Sequence, residues 1–161
     1  MNDFSHTATD QIIMFTLDEL SFALTLNVVV KVIHAIEISY LPEAPEIIAG
    51  IINVKGQIIP VADIRKRFGL APCEIELDDR LIITDTGKRQ IAILVDAVTG
   101  IRDLTPQQLA IAANTLSFSE NISGVAKLDD GLVLIYDLTR FLNLDEEKEL
   151  SKALKTQNDG S

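Results

Sequence analysis

The sequence has no tryptophan, one cysteine, and 14 basic residues against 24 acidic ones, and each shortage excludes a class of protein. Cys73 alone can form neither an intramolecular disulfide nor a cysteine-based zinc site, which favours a reducing cytosol. A net charge of −10 leaves no basic face for nucleic acid or an anionic membrane surface. The apolar runs, such as residues 47–54, are far shorter than the roughly 20 residues that span a bilayer. The N-terminus also lacks the pattern of a secretion signal.

The 161 residues do contain many short runs of Ile, Val and Leu bounded by turn residues, which are typical of β-strands. Ten strands are predicted at 12–17, 22–26, 35–41, 50–54, 58–62, 81–84, 91–95, 100–104, 123–127 and 132–136. Short helical segments are predicted at 27–31, 64–68, 106–109 and 138–142. Residues 1–10 and 145–161 are interpreted as tails, the second with a short helix.

A weak internal repeat relates the two halves of the chain. Its first part has matching spacing in Ala23, Asn27, Val29, Val32 and in Ala92, Asp96, Val98, Ile101. Its second part runs from Gly50 to Asp63 and from Gly124 to Asp137, thirteen residues in each case. We therefore expect an all-β domain over 11–144, built from two pseudo-repeated units of about five strands, at about 11–70 and 80–144. Whether strands are exchanged between the units is left open.

Polar residues at repeat-related positions predict helix caps rather than catalytic carboxylates. Asp63 and Asp137 each follow a strand and precede a short helical segment, where an Asp side chain accepts from free backbone N–H groups. Asp96 matches Asn27, which also caps well, so the same interpretation extends to that pair.

No reactive constellation is evident elsewhere, and neither an enzyme nor a cofactor is expected. His34 has no nearby His or Cys, so a metal site would need distant ligands. Cys73 lies in a linker without an activating neighbour, and the sequence contains no phosphate-binding glycine loop.

Arg65, Lys66 and Arg67 form a basic cluster on an otherwise acidic chain. Two interpretations remain open at this point. The cluster is either a solvated helix face or, together with Lys55 of the neighbouring hairpin, a surface complementary to an acidic partner.

Residues 50–70, GIINVKGQIIPVADIRKRFGL, strongly resemble the signature of CheW-like chemotaxis coupling proteins. Further family features stand in order around them: Phe15-Thr16-Leu17 with Phe22-Ala23-Leu24, Leu41-Pro42 with Ala44-Pro45, residues 93–98, and Gly124-Val125 through Ile135-Tyr136-Asp137-Leu138. The resemblance covers about residues 11–144.

This resemblance implies two SH3-like five-stranded barrels packed through an apolar interface. It also implies a non-catalytic adaptor that couples methyl-accepting chemotaxis receptors to the regulatory domain of the histidine kinase CheA. Such an adaptor is cytoplasmic, is recruited to receptor clusters through its partners, and needs no direct membrane insertion. The partner-binding positions that it implies are Val29, Lys31, Val32, Gly50, Lys55 and Gly56.

Two departures from the family pattern bear on partner choice. Lys55 stands where Arg commonly precedes the hairpin glycine, and Lys31 replaces a common acidic residue. Lysine does not reproduce the forked contacts of arginine, so the particular receptor is left open. The alternative function is a small-ligand sensor that uses the cleft between the barrels.

Overall fold

The computed structural model describes residues 10–70, 75–76, 78–104, 109–110, 122–128, 131–138, 142 and 144–159. Eleven strands lie in these ranges: β1 (Asp10–Leu17), β2 (Leu20–Thr25), β3 (Val29–His34), β4 (Ile48–Val54), β5 (Gln57–Ala62), β6 (Arg80–Asp85), β7 (Gln90–Val95), β8 (Ala97–Leu104), β9 (Leu109–Ala110), β10 (Ile122–Leu128) and β11 (Gly131–Tyr136). Two 3-10 turns, Leu26–Val28 and Ile64–Arg67, and one α-helix, α1 (Leu144–Asp159), accompany them.

The strands form two sheets, and each sheet takes strands from both halves of the sequence. Sheet I has the order β8-β1-β2-β11-β10-β9, and sheet II has the order β3-β6-β7-β5-β4. The β1–β2 hairpin of the first half therefore lies between strands of the second half, while the β6–β7 hairpin lies between strands of the first. The two halves are intertwined and do not form one sheet each.

The internal repeat is visible in the register of the strands. Each sheet contains one parallel pair, in which Ala23 lies opposite Ile135 and Ala92 opposite Val61. Bulges also recur at equivalent positions, because the register shifts at Val30 in β3 and at Thr99 in β8. A second pair of bulges falls at residues 49 and 123 in β4 and β10. The short β9 is an addition to the five strands expected for that unit.

Within the ranges that the structure describes, the buried apolar side chains form three cores. A group in sheet I contains Ile12, Ala23, Leu104, Ala126, Val133 and Ile135. The corresponding group in sheet II contains Ile52, Ile59, Val61, Leu81, Ile83, Ala92 and Leu94. The third and largest core is shared by both sheets and α1, and includes Phe15, Phe22, Ile64, Tyr136 and Leu150. The apolar interface between the two sheets is this shared core.

Two sequence-based assignments are wrong. Residues 27–31 were expected to be helical and 35–41 to form a strand, but the strand is β3 and only Leu26–Val28 forms a 3-10 turn. The β-branched run Val28-Val29-Val30 prefers an extended conformation, whereas residues 35–38 form no regular element. The helical segments predicted at 106–109 and 138–142 fall largely outside the described residues.

The segment interpreted as a C-terminal tail is, through residue 159, the docked helix α1. Leu150 and Ala153 are buried in the shared core, and Leu154 packs beside them. Two ion pairs, Arg67–Glu146 and Arg89–Glu147, each at 2.5 Å, join the helix to the rest of the molecule. Neither α1 nor any other helix in the described ranges has the length and hydropathy of a membrane span.

Candidate partner-binding surface

Three of the predicted partner-binding residues, Val29, Lys31 and Val32, lie on β3, an edge strand of sheet II. β3 pairs with β6, with Lys31 opposite Ile83 and Val32 opposite Ile82. Val29 packs against the shared core, whereas Lys31 and Val32 are exposed to solvent. An edge strand presents one row of backbone groups that its own sheet leaves unpaired, which another chain can contact.

Lys55 and Gly56 form the two-residue turn between β4 and β5. Both have positive φ, 52° and 88°, the pattern of the type I′ turn that matches the twist of a hairpin. The side-chain oxygen of Asn53 accepts a hydrogen bond from the Gly56 N–H at 2.8 Å and holds the turn in place. Both turn residues are exposed, so the Lys55 ammonium is available to a partner.

Gly50 is buried on β4 and has φ +157°. A Cβ at this position would lie 2.3 Å from the carbonyl oxygen of Ser39 and 2.7 Å from the Ile38 side chain. Ser39 and Ile51 exchange two backbone hydrogen bonds of 2.8 Å here, which draws the chain against β4. Glycine is therefore required by a close approach of the backbone.

The six predicted residues form two groups rather than one. In the hydrogen-bonded order of sheet II, β3 is at one edge and β4 is at the other, with β6, β7 and β5 between them. The β3 residues and the hairpin residues therefore lie on strands that are not hydrogen-bonded to each other.

Exposed apolar side chains that the sequence did not single out lie on β3 and in the segment that follows it along the chain. Val30, on the bulge, and Ile36 are exposed, and Tyr40 is 78% exposed. Val32, singled out above, is exposed as well. The sequence contains one indication of exposed apolar residues on β3, the continuous run of Val28, Val29 and Val30. A strand with one solvated face alternates apolar and polar residues, and this run does not.

β8 is the repeat equivalent of β3 and forms an edge of sheet I. Val98, like Val29, packs against the shared core, and Ile101, like Val32, is exposed. The chain therefore has two edge strands of similar character.

The basic cluster does not form one surface, because Arg65 is buried, Arg67 is half-buried and only Lys66 is exposed. The solvated-face interpretation therefore fails for the two arginines, and a partner contact by Lys66 with Lys55 stays a prediction. Arg65 is buried and forms ion pairs with Asp18, at 2.9 Å, and with Asp96. Lys66 donates to the backbone carbonyl of Glu46 at 2.6 Å, and Arg67 pairs with Glu146 on α1. The paired carboxylates come from distant elements, so no local pattern in the sequence points to them.

The capping assignments have different outcomes. Asp63 is the N-cap of the 3-10 turn, and its side chain accepts from the Arg65 N–H at 3.2 Å, which confirms that prediction. Asp96 is not a cap, because its carboxylate accepts from the Asp18 N–H at 2.9 Å and pairs with Arg65. The segment that Asp137 would cap lies mostly outside the described residues, so that assignment stays a prediction.

His34, at the end of β3, is exposed and lies opposite Arg80. Within the described ranges, no group of three His, Cys, Asp or Glu residues could hold a metal ion.

Aromatic rings connect the elements of the shared core. Phe15 stacks on Phe22, Phe22 contacts Phe68, and Phe68 contacts Tyr136, with ring centroids 5.9, 4.9 and 5.7 Å apart. Burial raises the pKa of Tyr136 above its usual range, and the neighbouring Arg67 cation offsets part of that rise. The Tyr136 hydroxyl is therefore protonated at neutral pH.

Comparison with known proteins identifies the family. The family model described as CheW-like domain matches residues 11–146. A chemotaxis protein CheW of Thermotoga maritima is 27% identical, covering 86% of this chain and 91% of its own, and one of Klebsiella aerogenes is 24% identical, covering 87% and 86%. The crystal structure of the scaffolding protein TtCheW from Thermoanaerobacter tengcongensis is similar, with a TM-score of 0.78 and 30% identity over 86% of this chain and 95% of that one. The expected all-β fold of two pseudo-repeated SH3-like barrels is confirmed by this likeness, and the chain belongs to the CheW-like domain family.

Proposed function

We propose that this chain is a non-catalytic cytoplasmic adaptor that couples methyl-accepting chemotaxis receptors to the histidine kinase CheA. The observation that carries the proposal is the pair of exposed apolar side chains, Val30 and Val32, on the edge strand β3, followed by exposed Ile36 and Tyr40 in the next segment, in a member of the CheW-like family. Large exposed apolar side chains that lie together mark protein-binding sites. An edge strand adds backbone donors and acceptors to such a site.

The predicted residues have distinct roles in this proposal. Lys31, Val32 and Lys55 contact the partners directly, and Gly56 sets the turn that presents Lys55. Val29 anchors β3 to the shared core, since it packs there. Gly50 acts indirectly, because its missing side chain allows Ser39 to approach β4 and so determines the course of the segment that carries Ile36 and Tyr40.

Reconstitution tests the adaptor role. The protein is mixed with the regulatory domain of its genomic partner kinase and with receptor cytoplasmic fragments, and co-sedimentation and kinase autophosphorylation are measured. We expect a ternary complex and a change in kinase activity on assembly. No association with either partner would contradict the proposal.

Lys55→Glu tests the hairpin contact. We expect weaker partner binding, by about tenfold if one charge-assisted contact is lost, with an unchanged melting temperature because the side chain is exposed. Lys88→Glu is the matched control, since Lys88 is an exposed lysine in the turn of another hairpin of the same sheet. Equal affinities for Lys55→Glu and wild type would remove Lys55 from the contact.

The alternative, a small-ligand sensor between the barrels, receives less support. The space between the sheets contains the shared core, and the rings of Phe15, Phe22, Phe68 and Tyr136 pack there in sequence. A ligand in this position would have to displace buried side chains that already contact each other.

A further inference from the structure

Arg65 lies at the point where the two intertwined halves of the chain cross. Its side chain is 5% exposed, and its two terminal nitrogens form ion pairs with Asp18 and with Asp96. The carboxylates are each 37% exposed, so the cation is enclosed while its partners keep contact with water. Burying a cation is costly unless it is paired, and here two carboxylates provide the pairing.

The three residues come from elements that belong to different sheets. Arg65 is on the 3-10 turn that follows β5 of sheet II, and Asp18 is in the β1–β2 turn of sheet I. Asp96 stands between β7 and β8, where the chain leaves sheet II and enters sheet I. The arginine is therefore an electrostatic link between the sheets.

Backbone contacts fix the geometry of this link. The Asp96 N–H donates to the Thr16 carbonyl at 3.0 Å, and the Asp96 carboxylate accepts from the Asp18 N–H at 2.9 Å. The cap by Asp63 holds the backbone of Arg65, and the Asp63 N–H donates to the Ile47 carbonyl at 2.9 Å. The guanidinium thus meets an Asp96 carboxylate that a backbone N–H also holds, and its second terminal nitrogen reaches Asp18, an arrangement that suits the forked donors of arginine.

The repeat does not reproduce the link. Gly87 is equivalent to Asp18, and Asn27 is equivalent to Asp96, so the carboxylates are absent from the related positions. The link therefore breaks the pseudo-symmetry of the fold at its centre.

We propose that Arg65 is a positioning residue for kinase coupling, which sets the relative orientation of the two sheets without itself contacting a partner. This inference rests on the proposed adaptor function. Receptor and kinase bind different surfaces of the chain in this proposal. The effect of receptor binding on the kinase then passes through the junction of the sheets, and a junction of fixed geometry transmits that effect.

Arg65→Met tests the proposal, because it keeps much of the side-chain volume and leaves the two partly exposed carboxylates accessible to water. We expect binding to the isolated kinase domain and to isolated receptor fragments to change less than about threefold, while receptor-dependent kinase stimulation falls about tenfold, within the usual range of coupling between sites. Arg65→Lys should recover part of the stimulation, since lysine retains the charge but not the fork. Arg80→Met is the control, because Arg80 donates to the carbonyls of Asp78 and Asp79 in its own segment.

A distance measurement separates orientation from general stability. Spin labels at Lys88 in sheet II and Lys127 in sheet I, in a Cys73→Ser background, should show a broader distance distribution in Arg65→Met than in Arg80→Met. Asp96→Asn, which preserves the side-chain shape, serves as a second variant if Arg65→Met does not fold. Asp96→Asn should also give a broader distance distribution than Arg80→Met.

Three results would overturn the proposal. Full kinase stimulation by folded Arg65→Met would show that the link is dispensable, and an unchanged distance distribution would show that it does not set the orientation. Parallel loss of both separate binding affinities would show that Arg65 serves folding alone. Failure of the adaptor function is distinguishable from all three, because wild-type protein would then neither bind the partners nor stimulate the kinase.

Discussion

Sheets I and II are related by the repeat, and the residues in their interiors correspond. Their contributions to the junction between the sheets do not correspond. Ile12 and Leu81, and likewise Ala23 and Ala92, occupy corresponding places in the two separate cores. At the junction, by contrast, sheet II contributes Arg65 to a charged link for which the repeat supplies no second copy. Packing constrains interior positions in both sheets alike, whereas charges at the junction need to occur only once to hold the sheets together.

The largest expected effect comes from truncating one large buried side chain in the core of each sheet. Ile12→Ala and Leu81→Ala should each lower the free energy of unfolding by about 2–5 kcal/mol, the usual cost of deleting a buried large aliphatic side chain. Each sheet contains strands of both halves of the chain, so the two sheets should unfold together. Both variants should therefore lower the midpoint temperature of one common unfolding transition in calorimetry. Lys88→Ala, at an exposed position, should leave the melting temperature unchanged. Two separate transitions would mean that the sheets unfold independently.

The next effect distinguishes two glycines on outer strands, Gly50 of sheet II and Gly100 of sheet I. Both have positive φ, but a Cβ would clash with Ser39 only at Gly50, since nothing lies within 4 Å of a Cβ at Gly100. We expect Gly50→Ala to cost about 1–3 kcal/mol more than Gly100→Ala, the range for overpacked sites. Urea denaturation measures the difference. Equal losses would show that segment 38–39 moves away at little cost.

A smaller effect tests the repeat-related aspartates. Asp63→Ala should lower stability by about 1 kcal/mol through loss of the cap. If Asp137 caps its own segment, as predicted from the repeat, Asp137→Ala should cost a similar amount. Thermal denaturation of the two variants side by side makes the comparison, and a normal melting temperature for Asp63→Ala would contradict the capping role.

The last effect is absent at neutral pH and appears only in alkali; it concerns Tyr136, whose repeat equivalent in sheet II is Ala62. Since burial raises its pKa, the folded protein keeps the phenol proton above pH 10 while the unfolded chain, with a pKa of about 10, loses it. Stability should therefore fall above pH 10, by up to about 1.4 kcal/mol per pH unit. Tyr136→Phe should reduce this slope and leave stability below pH 9 nearly unchanged.

Tyr40→Phe is the control for that measurement, because Tyr40 is largely exposed. The free energy of unfolding of Tyr40→Phe should fall with pH as steeply as that of the wild-type protein. If Tyr136→Phe also matched the wild type, the buried phenol would not contribute to the alkaline loss of stability.

Features with local or repeated signals were predictable from the sequence, and features that depend on distant contacts were not. The repeat, the strands after Gly50 and the Asp63 cap could be read from spacing and turn chemistry. β3 was missed because a strand with several exposed valines does not alternate. The internal pairing of Arg65 was missed because Asp18 and Asp96 are separated from it by 47 and 31 residues. Of the candidate surface, the sequence indicated the β3 and hairpin positions but not the exposed Ile36 and Tyr40.

The exchange of strands between the sheets has a consequence for synthesis of the chain. When the ribosome has produced the first half, β3, β4 and β5 still lack the β6–β7 hairpin that must separate them, and β1–β2 lacks both neighbours. Neither sheet can close until much of the second half has emerged, so folding depends on contacts between residues far apart in sequence. The nascent chain consequently exposes unpaired apolar edges for most of its translation, the condition under which aggregation competes with folding.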